Sequence, residues 1–221
     1  MRSYRILHVD DDSLMRDVVE ISLGLDPAFA LMSCAGGAEA LAAAPGWAPD
    51  LILCDVMMPD MDGPAMLAHL RENPQTAKHP VIFMTATPAP NEIERFRSLG
   101  AAGVIAKPFD PKTFPDTVRE RLRTIQLASA NYDFAERLRA DAAVLAAFRD
   151  KLDGAEASLV PDGLQACVHK LAGAAGVFNF KAVSRSASAL EEAIIAQRAG
   201  RGTPGTIAAN LDVLLECMQR E

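Results

Sequence analysis

"LILCDVMMPDMDG", residues 51–63, joins a short apolar run to an aspartate and then to a helical pattern that begins near Gly63. Residues 51–54 are apolar without interruption, which is typical of a strand buried on both faces of a parallel sheet. Asp55 stands where that strand ends. The stretch therefore predicts a buried strand that carries a carboxylate at its carboxyl end.

The same pattern recurs through the first half of the chain. Further short apolar runs lie at 4–9, 81–84 and 103–106, with a weaker run near 29–33. Amphipathic segments alternate with them, at about 13–23, 37–44, 63–73, 91–99 and 111–127. Five strands that alternate with five helices predict an α/β fold with a doubly wound, five-stranded parallel sheet. In such sheets the functional site lies beyond the carboxyl ends of the strands, where the strand order reverses.

The second half of the chain changes to helical periodicity throughout. Its segments are 131–151, about 160–177, 180–199 and 204–219, separated by Gly154, the Phe178–Asn179 region and "GRGTPG". Four helices with short connections predict an all-α, four-helix bundle. We expect a first domain at 1–126 and a second at 127–221. No Gly/Ser-rich or Pro-rich linker separates them, so the last helix of the first domain is expected to run almost directly into the second.

Charge and hydropathy exclude several classes of function. The net charge is −7, with 12 Lys/Arg against 17 Asp/Glu in residues 1–128 and 10 against 12 in residues 129–221. Neither half has the basic character of a nucleic-acid-binding module, so no nucleic acid is expected as a partner. No apolar run reaches about 18 residues, the length that a membrane span needs. The amino terminus lacks the apolar core of a signal peptide, and a cytoplasmic protein is therefore expected.

Polar side chains stand at the predicted ends of four strands. They are Asp10, Asp11 and Asp12 after the first strand, Asp55 after the third, Thr85 after the fourth and Lys107 after the fifth. Carboxylates crowded at one sheet edge repel each other unless a cation neutralises them, and oxygen ligands at an open site favour Mg²⁺. Lys107 and Thr85 would then hold a phosphoryl group on Asp55, the nucleophile. Taken alone, the aspartate run is also compatible with a helix cap, a role that we assign to Asp12.

Residues 1 to about 125 resemble the receiver domain of bacterial two-component response regulators, a flavodoxin-like fold. The resemblance rests on "ILHVDDDSLMR", "LILCDVMMPDMDG", "VIFMTA" and "GAAGVIAKPF". It implies that Asp10 and Asp11 are the acidic pair, that Asp55 is phosphorylated, and that Met57 offers its backbone carbonyl to Mg²⁺. It further implies that Thr85 is the switch hydroxyl and Lys107 the phosphate-binding lysine. Val104 departs from the family, which usually has an aromatic residue there.

The segment "HKLAGAAGVFNF", residues 169–180, places two glycines in a predicted helix beside a histidine. Gln165, His169, Gly173 and Gly176 share one stripe of that helix. Leu164, Val168, Leu171 and Ala175 share another, which is suited to the core. His169 is therefore expected to point outward. The glycines either leave a bare patch on which another protein can dock, or permit tight helix packing beside an ordinary surface histidine.

Residues 130–221 resemble the histidine phosphotransfer (HPt) domain through His169, Leu171, Gly173 and Ala175. The resemblance implies that His169 is the phosphorylated histidine. Ala172 stands where many members have a lysine that supports the phosphoryl group, and Asn179 replaces the usual glycine. Lys170 could reach a phosphoryl group, but it begins about 100° around the helix.

Together the two resemblances imply a phosphorelay protein with Mg²⁺ as cofactor, and with a sensor histidine kinase and other receiver or HPt proteins as partners. A homodimer is also compatible with the sequence. The receiver is expected to catalyse its own phosphorylation and dephosphorylation, but the chain has no P-loop or glycine-rich kinase loop and is not expected to be a kinase. The alternative is a phosphorylation-switched binding protein whose helical bundle only docks or dimerises.

Overall fold

A computed structural model describes residues 3–86, 88–152 and 160–220. The chain divides into two compact units, Met1–Gln126 and Leu127–Glu221. The elements of the first unit are β1 (Tyr4–Val9), α1 (Ser13–Gly24), β2 (Phe29–Cys34), α2 (Gly37–Trp47), β3 (Leu51–Asp55), α3 (Gly63–Glu72), β4 (Val81–Thr85), α4 (Pro90–Ser98) and β5 (Gly103–Ala106). They are followed by α5 (Phe114–Leu152), α6 (Leu164–Val177), α7 (Lys181–Arg198) and α8 (Pro204–Gln219).

The five strands form one parallel sheet in the order β2-β1-β3-β4-β5. This arrangement confirms the predicted α/β fold class. β1 pairs with β2 on one side and with β3 on the other, so the strand order reverses between β1 and β3. The carboxyl ends of these two strands therefore flank the crevice in which doubly wound sheets place their functional sites.

Helices cover both faces of the sheet because successive strand residues point to opposite sides. Leu7 belongs to a core that includes Ala40 of α2, Met66 of α3 and Phe96 of α4. Its neighbour Ile6 belongs to the core on the other face. That second core takes Val19 and Leu23 from α1, and Phe114, Val118 and Leu122 from α5. Strands buried from both sides explain the uninterrupted apolar runs in the sequence.

Helix α5 is a single helix of 39 residues, whereas the sequence pattern predicted separate segments at 111–127 and 131–151. The connecting residues 127–131, "LASAN", include no glycine or proline that would end a helix. The helix also begins later than predicted. The Asp110 carboxylate accepts a hydrogen bond from the Lys112 N–H at 2.9 Å, and residues 111–113 form a turn.

The described part of the second unit consists of helices around one apolar core. Among the buried residues of this core are Leu138, Leu145, Val168, Leu190, Leu211 and Leu214, so that α5, α6, α7 and α8 all contribute. The Phe134 ring lies 4.6 Å from the Phe178 ring and 5.1 Å from the Phe180 ring, which fixes the α6–α7 connection against α5. These helices agree with the predicted all-α bundle.

Two details of the bundle bear on the sequence predictions. Helix α6 begins at Leu164 rather than near residue 160, and the predicted break at Gly154 lies outside the described residues. Asn179, which stands in place of a glycine, adopts a left-handed backbone with φ of 65°. Asparagine tolerates that region better than most residues do. In neither unit does a described helix combine the length and the apolar composition that crossing a membrane requires.

Candidate functional site

Three carboxylates converge at the carboxyl ends of β1 and β3. Asp10 and Asp11 follow β1, Asp55 ends β3, and one ligand oxygen from each lies within 4.8 Å of the others. Asp10 is 1% exposed and Asp55 9%, whereas Asp11 is exposed. Carboxylate oxygens at an open site are the ligands that Mg²⁺ prefers, so these three residues fit a hard divalent cation.

Lys107 binds the two buried carboxylates of this cluster. Its Nζ lies 2.6 Å from Asp10 Oδ2 and 2.5 Å from Asp55 Oδ1. Burial alone lowers the pKa of Lys107, but the hydrogen bonds to Asp10 and Asp55 outweigh burial and raise its pKa. The lysine therefore carries its positive charge at the carboxylate that the sequence predicts to be the nucleophile.

Burial raises the pKa of Asp55, and Lys107 only partly offsets this effect. The second Asp55 oxygen accepts a hydrogen bond from the Met57 N–H at 3.0 Å. Met57 thus lies beside Asp55 through its backbone, while its side chain is largely exposed. Thr85 ends β4, and its carbonyl accepts a hydrogen bond from the Lys107 N–H at 2.8 Å. The structure therefore brings Asp10, Asp11, Asp55, Met57, Thr85 and Lys107 to one edge of the sheet.

Asp12 and Arg16 position the acidic loop. The Asp12 carboxylate accepts a hydrogen bond from the Leu14 N–H at 2.9 Å and caps α1, which confirms its predicted role. Arg16 Nη1 donates to the carbonyl oxygens of Asp10 and Asp11 at 2.8 and 3.0 Å. Arg16 was not predicted from the sequence, although it lies one turn into the helix that Asp12 begins.

Gly63 lets α3 begin directly against the site. A Cβ at this position would lie 2.6 Å from the Asp55 carbonyl oxygen and 2.9 Å from the Phe83 ring. No side chain fits at such distances without displacing the backbone of Asp55. Gly63 was also not identified as a site residue from the sequence, although "MDG" at the start of a helix is a signal for it.

His169 lies on α6 in the second unit, where it forms a site of its own. Its side chain is 74% exposed, and Nδ1 is 2.9 Å from Glu191 Oε1 on α7. Leu164, Val168, Leu171 and Ala175 are all buried in the bundle core. The outward orientation expected from the helical stripe is therefore observed. Glu191 was not identified from the sequence, because it is 22 residues away.

The two glycines beside His169 have different surroundings. A Cβ at Gly173 would meet no atom within 4 Å, whereas a Cβ at Gly176 would lie 3.3 Å from Ser184 Oγ on α7. Ser184 Oγ in turn donates to the Ala172 carbonyl at 2.9 Å. Gly176 therefore permits close packing of α6 on α7. Gly173 serves no packing within the described residues and leaves open space on the surface that bears His169.

Comparison with known families assigns both halves of the chain. Residues 6–119 match the response regulator receiver domain, and residues 112–220 match the Hpt domain. The two matches overlap in the first turns of α5. Receiver and Hpt domains act in phosphorelay signalling. The chain is thus a two-component signalling protein.

Curated relatives and solved structures support the same assignment. The probable transcriptional regulator ycf27 of Porphyridium aerugineum is 33% identical over 131 residues, which are 59% of this chain and 53% of the relative. RpaA of Synechocystis sp., a DNA-binding dual master transcriptional regulator, is 36% identical over 120 residues, 54% of this chain and 49% of the relative. The chain thus spans about half the length of these relatives.

Solved receiver structures match a similar share of the chain. Chemotaxis protein CheY4 of Vibrio cholerae is 31% identical, with a TM-score of 0.50 over 53% of this chain and 98% of that one. The receiver domain of the putative response regulator NarL from Mycobacterium tuberculosis is 27% identical, with a TM-score of 0.51 over 56% and 98%. This chain therefore belongs to the response regulator receiver family, and an Hpt domain follows its receiver domain.

Proposed function

We propose that this chain is a phosphorelay intermediate that accepts a phosphoryl group on Asp55 and exchanges one at His169. The observation that carries the proposal is the binding of Lys107 Nζ to both Asp10 and Asp55 at the strand-order reversal of the sheet. A cation placed on the nucleophilic carboxylate is suited to the charge of an incoming phosphoryl group. The proposed boundary between the two working domains lies at residues 126 and 127.

In the receiver site, Asp55 is the nucleophile and its neighbours neutralise charge. Asp10, Asp11, Asp55 and the backbone carbonyl of Met57 would hold Mg²⁺, which supplies further positive charge to the phosphoryl oxygens. The Asp55 carboxylate forms a bond to phosphorus as the donor's bond to phosphorus breaks, and that electron pair leaves with the donor. Lys107 then turns from Asp55 to a phosphoryl oxygen, while the Thr85 hydroxyl donates to another. Water then hydrolyses the acyl phosphate, which restores the Asp55 carboxylate and releases inorganic phosphate.

In the bundle, His169 is the nucleophile and Glu191 orients it. With its proton on Nδ1, the imidazole donates a hydrogen bond to Glu191 and presents an Nε2 lone pair. That lone pair forms the N–P bond as the acyl phosphate bond of a donor aspartate breaks, which restores the donor's carboxylate. The imidazolium that results keeps its Nδ1 proton beside Glu191, so its positive charge is paired. Transfer in the other direction uses the same groups.

Transfer to His169 is tested in the full-length chain with Asp55→Asn, so that only the bundle can accept. The protein is incubated with a receiver that carries an aspartyl phosphate, and the label is characterised by its stability. We expect an acid-labile, base-stable phosphate that is absent from the matched Asp55→Asn/His169→Gln protein. Equal labelling of both proteins, or of neither, would contradict the assignment of His169 and favour a bundle that only docks.

The metal requirement of the receiver site is tested with the His169→Gln chain and acetyl phosphate as donor. We expect labelling of Asp55 that depends on Mg²⁺ and is lost when a chelator removes the ion. Labelling that persists in chelator at the same rate would contradict the proposed metal ligands.

A further inference from the structure

A groove lies beside His169 between α6 and α7. It has a volume of about 510 Å³ and is lined by Gly163, Gln165, Ala166, His169, Glu191 and Arg198. Arg198 Nη1 donates a hydrogen bond to Gln165 Oε1 at 2.6 Å. The groove therefore combines the candidate phosphoryl acceptor with a guanidinium group that a neighbouring amide holds in place.

Helix geometry puts the guanidinium close to the histidine. Gln165 precedes His169 by four residues on α6, and side chains at this spacing lie one above the other, with Cβ atoms about 5–6 Å apart. Glu191 and Arg198 are seven residues apart on α7, which again places them on one face. Helix α7 thus contacts this side of α6 at two places. Glu191 contacts His169, and Arg198 contacts Gln165, which lies one helical turn before His169.

A phosphoryl group on His169 needs a cation at this place. It carries close to two negative charges at neutral pH, and the Glu191 carboxylate lies on the other side of the imidazole ring. Ala172 supplies no charge, although the resemblance to HPt domains implies that many members of that family have a lysine at this position. Arginine presents several N–H donors in a planar fork that matches phosphoryl oxygens, and charge-assisted hydrogen bonds of this kind are the strong ones.

We propose that Arg198 binds the phosphoryl group on His169 and takes the place of the lysine that Ala172 lacks, from the opposite end of the helix stripe. Gln165 holds the guanidinium in the groove before the phosphoryl group arrives. The proposal rests on the proposed function of His169. Lys170 is the rival cation, but it begins about 100° around the helix from His169, and it does not line the groove.

The first test measures transfer to His169 in the full-length Asp55→Asn chain, at increasing concentrations of a phosphorylated receiver. Arg198→Ala is expected to lower the maximal transfer rate about tenfold, as loss of one charge-assisted contact does. Arg198→Lys should keep most of the rate, and adding Ala172→Lys to Arg198→Ala should restore it. Lys170→Ala, and Arg185→Ala elsewhere on α7, serve as matched controls that keep the rate of the unsubstituted chain.

Rescue by Ala172→Lys separates charge from structure. A lysine at residue 172 cannot rebuild the hydrogen bond between α7 and Gln165, so a merely structural role for Arg198 would leave the double variant as slow as Arg198→Ala. That result, or an unchanged rate in Arg198→Ala, would overturn the proposal. Thermal unfolding of each variant, followed by circular dichroism, reports whether the bundle remains folded.

A second readout requires no partner and separates this proposal from the proposed function. Phosphoramidate phosphorylates histidine chemically, and the His169→Gln chain identifies the ³¹P resonance that belongs to residue 169. A paired guanidinium favours the dianion, so Arg198→Ala should raise the pKa of that phosphoryl group by about one unit, and Ala172→Lys should reverse the change. An unchanged pKa would overturn the role of Arg198, whereas failure of the transfer assay alone would overturn only the relay function.

Discussion

The receiver site and the bundle site, for which we propose the same phosphoryl chemistry, have opposite surroundings. The Asp55 side chain is 13% exposed and bound by Lys107, whereas the His169 side chain is 74% exposed and paired with a carboxylate. A carboxylate is a weak nucleophile in a crowded acidic cluster, so it needs cations built into the fold. An imidazole is a better nucleophile and needs mainly orientation and access. The difference is consistent with the proposed function, in which the receiver supplies catalysis and the bundle presents a substrate.

The two sites also differ in the role of their glycines, Gly63 and Gly173. Gly63 is required because the backbone of Asp55 and the Phe83 ring occupy the space of a side chain. Gly173 has open space around it. It destabilises the helix, and no packing contact among the described residues compensates for this. Gly63 therefore serves the fold of its own unit, whereas Gly173 leaves open space on the surface of its unit.

The largest expected effect is at Lys107. Lys107→Ala leaves Asp10 and Asp55 without their shared cation, and the rate of Asp55 labelling by acetyl phosphate should fall by about 10²–10³-fold. Lys112→Ala, an exposed lysine in the same unit, is the control and should label normally. If Lys107→Ala is labelled at a rate within twofold of the unsubstituted chain, Lys107 is not needed for labelling of Asp55, and the proposed difference between the two sites is wrong.

Gly63→Ala should destabilise the receiver by about 3 kcal/mol, because the added methyl group overpacks a site bounded by backbone. Trp47, the only tryptophan, lies in the first unit, so its fluorescence during urea unfolding reports on that unit. The m-value should stay unchanged. A shift in free energy of less than about 1 kcal/mol would show that α3 can move away from Asp55 at little cost.

The receiver also contains a buried histidine, in contrast to the exposed one of the bundle. His8 is fully buried on β1, and burial lowers its pKa to about 4. Because the unfolded chain binds a proton near pH 6.5 and the folded chain does not, His8 favours folding above pH 6.5, and this contribution is lost as the pH falls towards 4. The free energy of unfolding should fall by about 3 kcal/mol over this pH range, as measured by Trp47 fluorescence during urea unfolding. His8→Leu should make the pH dependence shallower; an identical slope would contradict the assignment.

At the bundle site, Glu191→Gln should slow transfer to His169 by about tenfold, because the amide still accepts the Nδ1 hydrogen bond but no longer pairs the imidazolium charge. Glu192→Gln is the neighbouring, exposed control and should transfer normally. An unchanged transfer rate in Glu191→Gln would mean that Glu191 only orients the imidazole of His169 and that its negative charge does not contribute to transfer.

The smallest effect is expected at Gly173. Gly173→Ala should stabilise the bundle by about 0.5–1 kcal/mol, since alanine is the better helix former and nothing obstructs its Cβ. The half-saturating concentration of a phosphorylated receiver should nevertheless rise, because the methyl group reduces the open space beside His169. Tighter or unchanged binding of the receiver would assign Gly173 no part in docking.

Local sequence signals predicted much of the fold. The buried strands β1, β3, β4 and β5 appear as apolar runs because both sheet faces are covered, and the Asp12 cap follows from its place before α1. The joined helix α5 was only half anticipated, since residues 127–131 carry neither a stop signal nor a strong helical stripe.

The partners within each site were harder to predict. Asp10, Asp55 and Lys107 could be grouped because the ends of parallel strands meet at one edge. Glu191 and Arg198 could not, since they reach α6 from 22 and 33 residues away through packing of two helices whose facing side chains have no local signature. The role of Gly63 likewise depends on the distance to a neighbouring strand.

We propose that this one chain carries two phosphoryl sites of different chemistry. The test uses the full-length chain and its Asp55→Asn, His169→Gln and doubly substituted forms. Each protein is incubated with a phosphorylated histidine kinase and with a phosphorylated receiver, and the bound phosphate is classified by its stability in acid and in base. We expect a base-labile acyl phosphate that Asp55→Asn removes, an acid-labile, base-stable phosphate that His169→Gln removes, and no label in the double variant. A single class of phosphate in the unsubstituted chain, or label that survives both substitutions, would contradict this proposal.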